Sequence, residues 1–361
     1  MEPHGFSFFT AVKVSTTFSV MIIFRADANK QIASGHIMRC VSIAQTFVEA
    51  GEDVLFAVAD ESPVSMLNQA GVKYTVLHSQ WNYLKGEIGQ MTDLLQQHDR
   101  PTLLIDTYQV TRQYAEAMMP YAKVCYLGSK PEYLGALKAL VNYSTDIDYD
   151  FYQSNYSEET KLLLGASYAP LRKEFLQVRH EERTDGRCGV LLTTGNTDPR
   201  GCVAKILERL EQDGLLDALE LHVVIGAMFE NKAELHRRYD NNPNVVLHEN
   251  VKRMSELMSV SDLAISANGT TVYELAAAKV PAVTFAMVEE QKKSGRKLAE
   301  LDVVYYCGEM YEDVELCIAQ ISQQVKRLTE DAEERLRLLE KANSVVDGRG
   351  CDRIVESLKQ L

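Results

Sequence analysis

The stretch Leu263-Ala264-Ile265-Ser266-Ala267-Asn268-Gly269-Thr270-Thr271-Val272-Tyr273-Glu274-Leu275 decides the fold. It reads as a strand, a small polar turn and the start of a helix, the corner of a parallel α/β sheet at which a helix N-terminus faces the space beyond the strand. Thr271 and Glu274 have the spacing of a capping box, which would tie Glu274 to the helix start. The same residues also suit a ligand. Gly269, Thr270 and Thr271 offer backbone and hydroxyl donors to a diphosphate, and Glu274 could accept from ribose hydroxyls. Both readings hold together only if the Glu274 side chain leaves the cap.

The same alternation recurs on either side of this corner. Upstream in the same half, strands are expected at Cys188–Leu192, Leu221–Ile225 and Val245–Leu247; downstream, at Ala282–Phe285 and Val303–Tyr306. An earlier series runs through Met21–Phe24, Val54–Val58, Tyr74–Leu77, Thr102–Ile105, Val124–Leu127 and the less regular Ala139–Val141. Ile37, Val41, Ala44 and Val48 share one helical face that ends before Gly51, and a short helix is expected with Ser62 as N-cap and Pro63 at its first position. Three helical stretches close the chain at about 313–328, 331–346 and 352–361.

The expected architecture is α/β, with two Rossmann-like doubly wound domains facing a central cleft, over residues 21–180 and 181–345, and a terminal helix within 346–361. Tyr143 to Tyr168 reads as irregular, and the charged run Arg179 to Arg187 as the interdomain linker. Residues 1–20 carry Lys13 as their one basic residue and no small-residue cleavage site, so they read as an extension outside the fold or an extra edge strand.

Composition narrows the function. With 361 residues, 46% hydrophobic and 25% charged, the chain has the make-up of a packed globular protein with room for two domains. A net charge of −13 provides no basic face for a phosphate backbone, so no nucleic-acid partner is expected. The seven cysteines are scattered and never in a CxxC spacing, which points to small core residues in a reducing compartment rather than disulfides or a metal site. No window approaches the roughly 18 apolar residues of a membrane span. A soluble, cytoplasmic protein without membrane insertion is expected.

In open parallel sheets ligands bind beyond the carboxyl ends of the strands, so the loops there carry the candidates. The first strand leads through Asp27 to Gly35-His36-Ile37-Met38-Arg39. Here His36 opens a helix, whose positive end attracts anions and favours the neutral imidazole that a general base requires. His36 reads equally as a polar residue at a helix start. Asp106 and Tyr108 follow the strand Thr102–Ile105 and face the same cleft, although an Asp in a turn after a strand is common. Thr194, Gly195 and Asn196 follow the strand Cys188–Leu192 and could cradle a phosphate; Asp198 as N-cap with Pro199 at the first helical position explains much of that turn without a ligand. Asn250 and Val251 lie at a strand end where a base could meet backbone groups. Gln291 could hydrogen-bond a sugar or simply be solvated.

Five segments taken together, RADANKQIASGHIMRC (25–40), LLIDTY (103–108), LLGASYAPLRKEF (163–175), LLTTGNTD (191–198) and LAISANGTTVYELAAAKVP (263–281), resemble the UDP-2,4-diacetamido-2,4,6-trideoxy-β-L-altropyranose hydrolases of pseudaminic acid synthesis. The likeness runs from about Met21 to Gly308, with the five blocks in the expected order. That family has the GT-B fold and is similar to the N-acetylglucosaminyltransferase that makes the second lipid intermediate of peptidoglycan. The resemblance implies metal-independent release of UDP from C1 of the sugar, with no cofactor. It makes His36, in the GHxxR block with Gly35 and Arg39, the base that activates water, and gives the UDP to Asn268, Gly269, Thr270, Thr271 and Glu274. Departures from the family are Ala33, Asn196 and Asn268 where glycine is usual, Gly128-Ser129 where adjacent aspartates are usual, and Glu290 in place of an asparagine. Asn tolerates left-handed backbone best among non-glycine residues, so the fold is expected to survive these changes.

Three functions follow. The first is a hydrolase that cleaves a UDP-linked deoxy-acetamido sugar at its anomeric C–O bond. The second is a GT-B glycosyltransferase in polysaccharide or spore-coat synthesis, and the third a non-catalytic nucleotide-sugar-binding subunit. The residues select neither the sugar nor the oligomeric state.

Overall fold

The computed structural model of the chain describes residues 20–180 and 186–361. Residues 1–19 of the expected extension and 181–185 of the charged run lie outside them. Two wholly parallel sheets organise the rest. The first contains β1 (Met21–Ala26), β2 (Asp53–Val58), β3 (Lys73–Val76), β4 (Thr102–Asp106), β5 (Lys123–Leu127), β6 (Ala139–Asn142) and β7 (Lys161–Leu164), in the order β3-β2-β1-β4-β5-β6-β7. The second contains β8 (Cys188–Thr193), β9 (Leu219–Ile225), β10 (Val245–Glu249), β11 (Leu263–Ala267), β12 (Ala282–Ala286) and β13 (Tyr305–Glu309), in the order β10-β9-β8-β11-β12-β13. This is the GT-B architecture, two Rossmann-like domains each with its own topological switch point.

The central strands are buried on both faces, as helices on both sides of a parallel sheet require. Ile22, Ile23 and Phe24 are fully buried, and Phe24 stacks on Phe56 with ring centroids 4.9 Å apart while Phe47 meets it edge-on at 6.4 Å. Each such ring contributes roughly 1.5–3 kcal/mol by leaving water. Leu192, Leu221, Val223, Ile265 and Phe285 play the same part in the second sheet. All seven cysteines are buried and none is in a disulfide.

Several elements depart from the sequence reading. The stretch read as irregular contains the helix Tyr149–Asn155, whose N-cap Asp148 accepts from the Phe151 N–H at 3.0 Å, and the four-residue strand β7. Both are too short to show a period. β13 begins two residues later than expected, because the Val303 N–H is bonded to Leu298 O at the end of the preceding helix. The short helix is Val64–Ala70 with Pro63 as its N-cap, and Ser62 makes no side-chain cap.

The helix Gly350–Lys359 leaves the second domain and packs on the first. Cys351, Ile354, Val355 and Leu358 join the same core as Ile37, Val41 and Ala44 of the helix Gly35–Glu49. Gly350 permits this crossing, since a Cβ there would lie 2.1 Å from Ala169 O. Arg353 fastens it, bonding Ser167 O at 2.9 Å and pairing with Asp347.

Candidate functional site

Each sheet reverses its winding at its switch point, between β1 and β4 in the first and between β8 and β11 in the second, and a crevice opens there beyond the strand ends. The first crevice receives the start of the helix Gly35–Glu49 from β1 and the end of β4. His36 and Asp106, 70 residues apart in sequence, meet there: the His36 Nδ1 to Asp106 Oδ1 distance is 2.6 Å. Arg39, one turn after His36, lies against the same carboxylate, with its Nε 2.5 Å from Oδ2 and its Nη2 bonded to Oδ1. Cys40 Sγ donates to Oδ2 at 3.3 Å.

This geometry assigns the histidine tautomer. Nδ1 stands near an acceptor, Asp106 Oδ1, and also 2.9 Å from the Arg39 Nη2 donor. A lone pair on Nδ1 would face the carboxylate at 2.6 Å, whereas a proton there makes a short charge-assisted bond, so Nδ1 carries the proton. In the neutral imidazole the lone pair is then on Nε2, which has no hydrogen-bond partner among the described residues. Asp106 is fully buried, and burial alone would push its carboxyl up; the Arg39 charge and the bonds from Arg39 and His36 outweigh burial and hold it below the usual carboxylate range. It is a fixed anion that orients an imidazole, the arrangement by which a carboxylate makes a histidine a competent base.

Tyr108, more than half exposed, packs edge-on against the His36 ring at 5.2 Å. Arg39 Nη1 donates to the Tyr143 hydroxyl at 2.9 Å, and Tyr143 in turn meets Tyr273 of the second domain edge-on at 5.9 Å. Thr145 and Ser294 share a hydrogen bond of 3.1 Å across the domains nearby. The Gly35–Glu49 helix has no side-chain cap, so its leading N–H groups are left for a ligand or water.

At the second crevice the helix begins at Thr271, with Thr270 as N-cap and no side-chain cap. The expected capping box is not formed. Glu274 instead points its carboxyl to within 4.0 Å of Arg172 from the connecting segment. Burial raises the Glu274 carboxyl to about 7, with Arg172 opposing and Glu174 adding to the rise. Gly35, Met38, Ser42, Leu171, Arg172, Thr270 and Glu274 bound a cavity of about 130 Å³ between the domains, with Arg39, Tyr143 and Tyr273 also on its wall. The blocks around His36 and Glu274 thus face one cleft.

Other candidates are committed elsewhere. Asp27 pairs with the buried Arg25 at 2.5 Å and accepts from the Ala59 N–H at 2.7 Å, while Arg25 also pairs with buried Glu87 at 2.6 Å; this network holds the strand end rather than opening to the cleft. The Thr194 hydroxyl donates to Thr197 O at 3.2 Å, and the Gly195 N–H donates to Thr193 Oγ1 at 3.2 Å, so the turn satisfies itself. Asn196 is exposed, and its carbonyl accepts from Met228 N–H at 3.0 Å. Asp198 does serve the following helix, accepting from the Cys202 and Val203 N–H groups at 2.7 and 2.9 Å, but that helix starts at Cys202 and not at Pro199. Asn268 donates to Gln291 O at 2.9 Å, and Gln291 Oε1 accepts from Met287 N–H at 2.8 Å, which fixes two candidates to each other. Asn250 and Val251 follow β10, two strands from the switch point.

The replaced glycines differ from expectation as well. Left-handed backbone occurs at neither Asn196 nor Asn268, but at Ala33, with φ of 55°. The residues of the cleft missed in the sequence include Tyr143, Tyr273 and Arg172. Tyr143 directly follows β6, and that strand-end position was the available signal.

Among the described residues no group of three or more His, Cys, Asp or Glu could hold a metal ion, and no helix is long and apolar enough to cross a membrane.

Comparison with known proteins agrees with this architecture. Residues 190–349 match the glycosyltransferase family 28 C-terminal domain. Over 205 residues the chain is 26% identical to the spore coat polysaccharide biosynthesis protein SpsG of Bacillus subtilis, covering 56% of this chain and 59% of that protein. Over 282 residues it is 23% identical to an uncharacterized protein of Methanocaldococcus jannaschii, covering 74% of this chain and 56% of that one. The chain therefore spans between half and two thirds of the length of these relatives. The crystal structure of Acinetobacter baumannii MurG superimposes with a TM-score of 0.64 at 13% identity, over 95% of this chain and all of that one, which shows the fold. The chain is glycosyltransferase-like in its fold and over residues 190–349.

Proposed function

We propose that the protein is a glycosyltransferase of polysaccharide synthesis that breaks the anomeric C–O bond of a UDP-linked sugar. The observation that carries this reading is the His36–Asp106 pair, whose histidine stands on the helix that, through Gly35, Met38 and Arg39, lines one cavity with Thr270 and Glu274. In this reading His36 Nε2 removes the proton from an attacking hydroxyl as that oxygen bonds to C1, and the C1–O bond breaks with its electron pair leaving on the diphosphate. Gly269, Thr270 and Thr271 meet the departing charge with N–H and hydroxyl groups, and Glu274 receives the ribose hydroxyls. A diphosphate is already a good leaving group, so stabilising charge and fixing the attacker are the main tasks.

A second reading puts water in place of the acceptor hydroxyl. It is favoured by the small size of the cleft cavities, about 130 and 160 Å³, and by the GHxxR block, and it corresponds to a hydrolase of a UDP-linked deoxy-acetamido sugar. Release of UDP from a panel of UDP-sugars, followed by NMR with and without saccharide acceptors, separates the two. Transfer predicts a strong rise with an acceptor; hydrolysis predicts full turnover in buffer. UDP binding without release under either condition would rule out both and leave a binding subunit.

A further inference from the structure

We propose that Tyr143 and Tyr273 are positioning residues, which make the orientation of His36 depend on the second domain being seated against the first. The proposal rests on the reading of His36 as the base. An unbroken line of contacts leads from that base across the domain boundary. Asp106 Oδ1 lies 2.6 Å from His36 Nδ1, and Arg39 grips the same carboxylate through Nε and Nη2. The planar guanidinium then turns Nη1 away from the carboxylate, where it donates to the Tyr143 hydroxyl at 2.9 Å. The Tyr143 and Tyr273 rings meet edge to face, with centroids 5.9 Å apart and planes at 82°. Tyr143 follows β6 of the first sheet, whereas Tyr273 belongs to the first turn of the helix Thr271–Ala277 in the second domain.

The tautomer of His36 depends on the plane of this guanidinium. Arg39 Nη2 stands 2.9 Å from His36 Nδ1 while it is bonded to Asp106 Oδ1. With its hydrogens directed at the carboxylate, Nδ1 keeps its own proton for Asp106. If the plane turns so that an Nη2 hydrogen faces Nδ1, the ring nitrogen becomes the acceptor, the proton moves to Nε2, and the base is lost. Nη1 is the handle that sets the plane, and Tyr143 holds the handle. Tyr143 is itself well anchored: the preceding Asn142 donates to the Tyr152 hydroxyl at 3.1 Å and accepts from the Ser144 N–H at 3.0 Å. The Tyr143 ring needs a wall on its far side, and buried Tyr273 supplies it. A neighbouring cross-domain bond, Thr145 to Ser294 at 3.1 Å, joins the same surfaces without bonding Arg39. It provides the control.

The variants are Tyr143→Phe, which loses only the hydroxyl, Tyr273→Leu, which loses the ring, the two combined, and Ser294→Ala. Each full chain is tested for UDP release, UDP binding and thermal unfolding. Ring-nitrogen NMR shifts of His36, assigned against His36→Ala, report its tautomer without turnover. The expected result is a fall in kcat of about tenfold in each single variant, with KM and UDP Kd little changed and the Nε2-protonated ring appearing. The double variant falls no further, because both changes break one line. Tyr273→Phe, which keeps the ring, recovers most of the loss, and Ser294→Ala keeps wild-type kcat and tautomer. A folded Tyr143→Phe with wild-type kcat and tautomer overturns the proposal, even if Tyr273→Leu does not fold. So do losses that multiply in the double variant, or a Ser294→Ala loss equal to that of Tyr273→Leu, which would mean general loosening between the domains. A wild-type His36 that already carries its proton on Nε2 overturns the reading of His36 as the base, and the proposal with it.

Discussion

Asp106→Asn tests the chemistry with little change of shape. The amide nitrogen or oxygen would occupy the position now 2.6 Å from His36 Nδ1, and Arg39 would lose its counter-charge. Arg39 already claims the carboxylate through two nitrogens, so the amide oxygen is drawn to the guanidinium and the amide NH₂ turns to the imidazole. Nδ1 must then accept, the proton moves to Nε2, and the lone pair needed by a base is lost. For a carboxylate that orients a histidine, this error lowers kcat by about 10⁴-fold, equivalent to about 5.5 kcal/mol in the barrier. Folding is also weakened, because removing one charge of a buried pair costs about 3–5 kcal/mol. The assay is UDP release from the best substrate of the panel, with UDP binding and thermal unfolding measured on the same preparation. A variant that folds, binds UDP and keeps more than a tenth of wild-type kcat would refute the tautomer argument.

His36→Ala should lower turnover by about 10²–10⁴-fold while leaving UDP affinity within twofold, read by calorimetry beside the release assay; wild-type turnover would remove His36 from the mechanism. Glu274 is raised in the folded chain to about 7 from 4.5, so it retains a proton that the unfolded chain has lost, and stability falls as pH rises across that window, by up to about 3 kcal/mol. Glu274→Gln should therefore unfold at a higher temperature than wild type at pH 8 and at a similar one at pH 4; equal midpoints at pH 8 would contradict this sign. If the carboxylate takes the ribose hydroxyls, UDP affinity in wild type also climbs as pH passes through about 7, and the Gln variant shows no such climb. Ala33→Gly relieves a left-handed alanine at φ 55°, and the net gain should be about 0.5–1 kcal/mol in urea unfolding after the added chain entropy of glycine is counted; a loss of stability would show that the methyl group packs usefully.

The strands were legible because a parallel sheet buried on both faces demands unbroken apolar runs, as in Met21–Phe24 and Leu263–Ile265. The helix start at Gly35 was legible for the same local reason. What sequence could not show were partnerships across long intervals. That His36 meets Asp106 depends on β1 and β4 being neighbours with Arg25 level with Ile105, a matter of sheet register. Tyr143 is placed by β6, a four-residue strand. Local rules also competed with tertiary ones. Spacing predicted a capping box at Thr271 and Glu274, but burial and Arg172 drew the carboxylate to the cleft; Gln291 suggested a sugar contact, yet the Met287 N–H takes its side-chain oxygen.

The helix Gly350–Lys359 has a consequence for biosynthesis. It supplies four buried side chains to the core beneath the helix that carries His36, yet it is translated after the entire second domain. The first domain therefore emerges from the ribosome with an open seam along the Gly35–Glu49 helix, and it closes only when residues beyond Gly350 are released. A product truncated before Gly350 therefore leaves one side of the Gly35–Glu49 helix uncovered even when every residue of the cleft has been made.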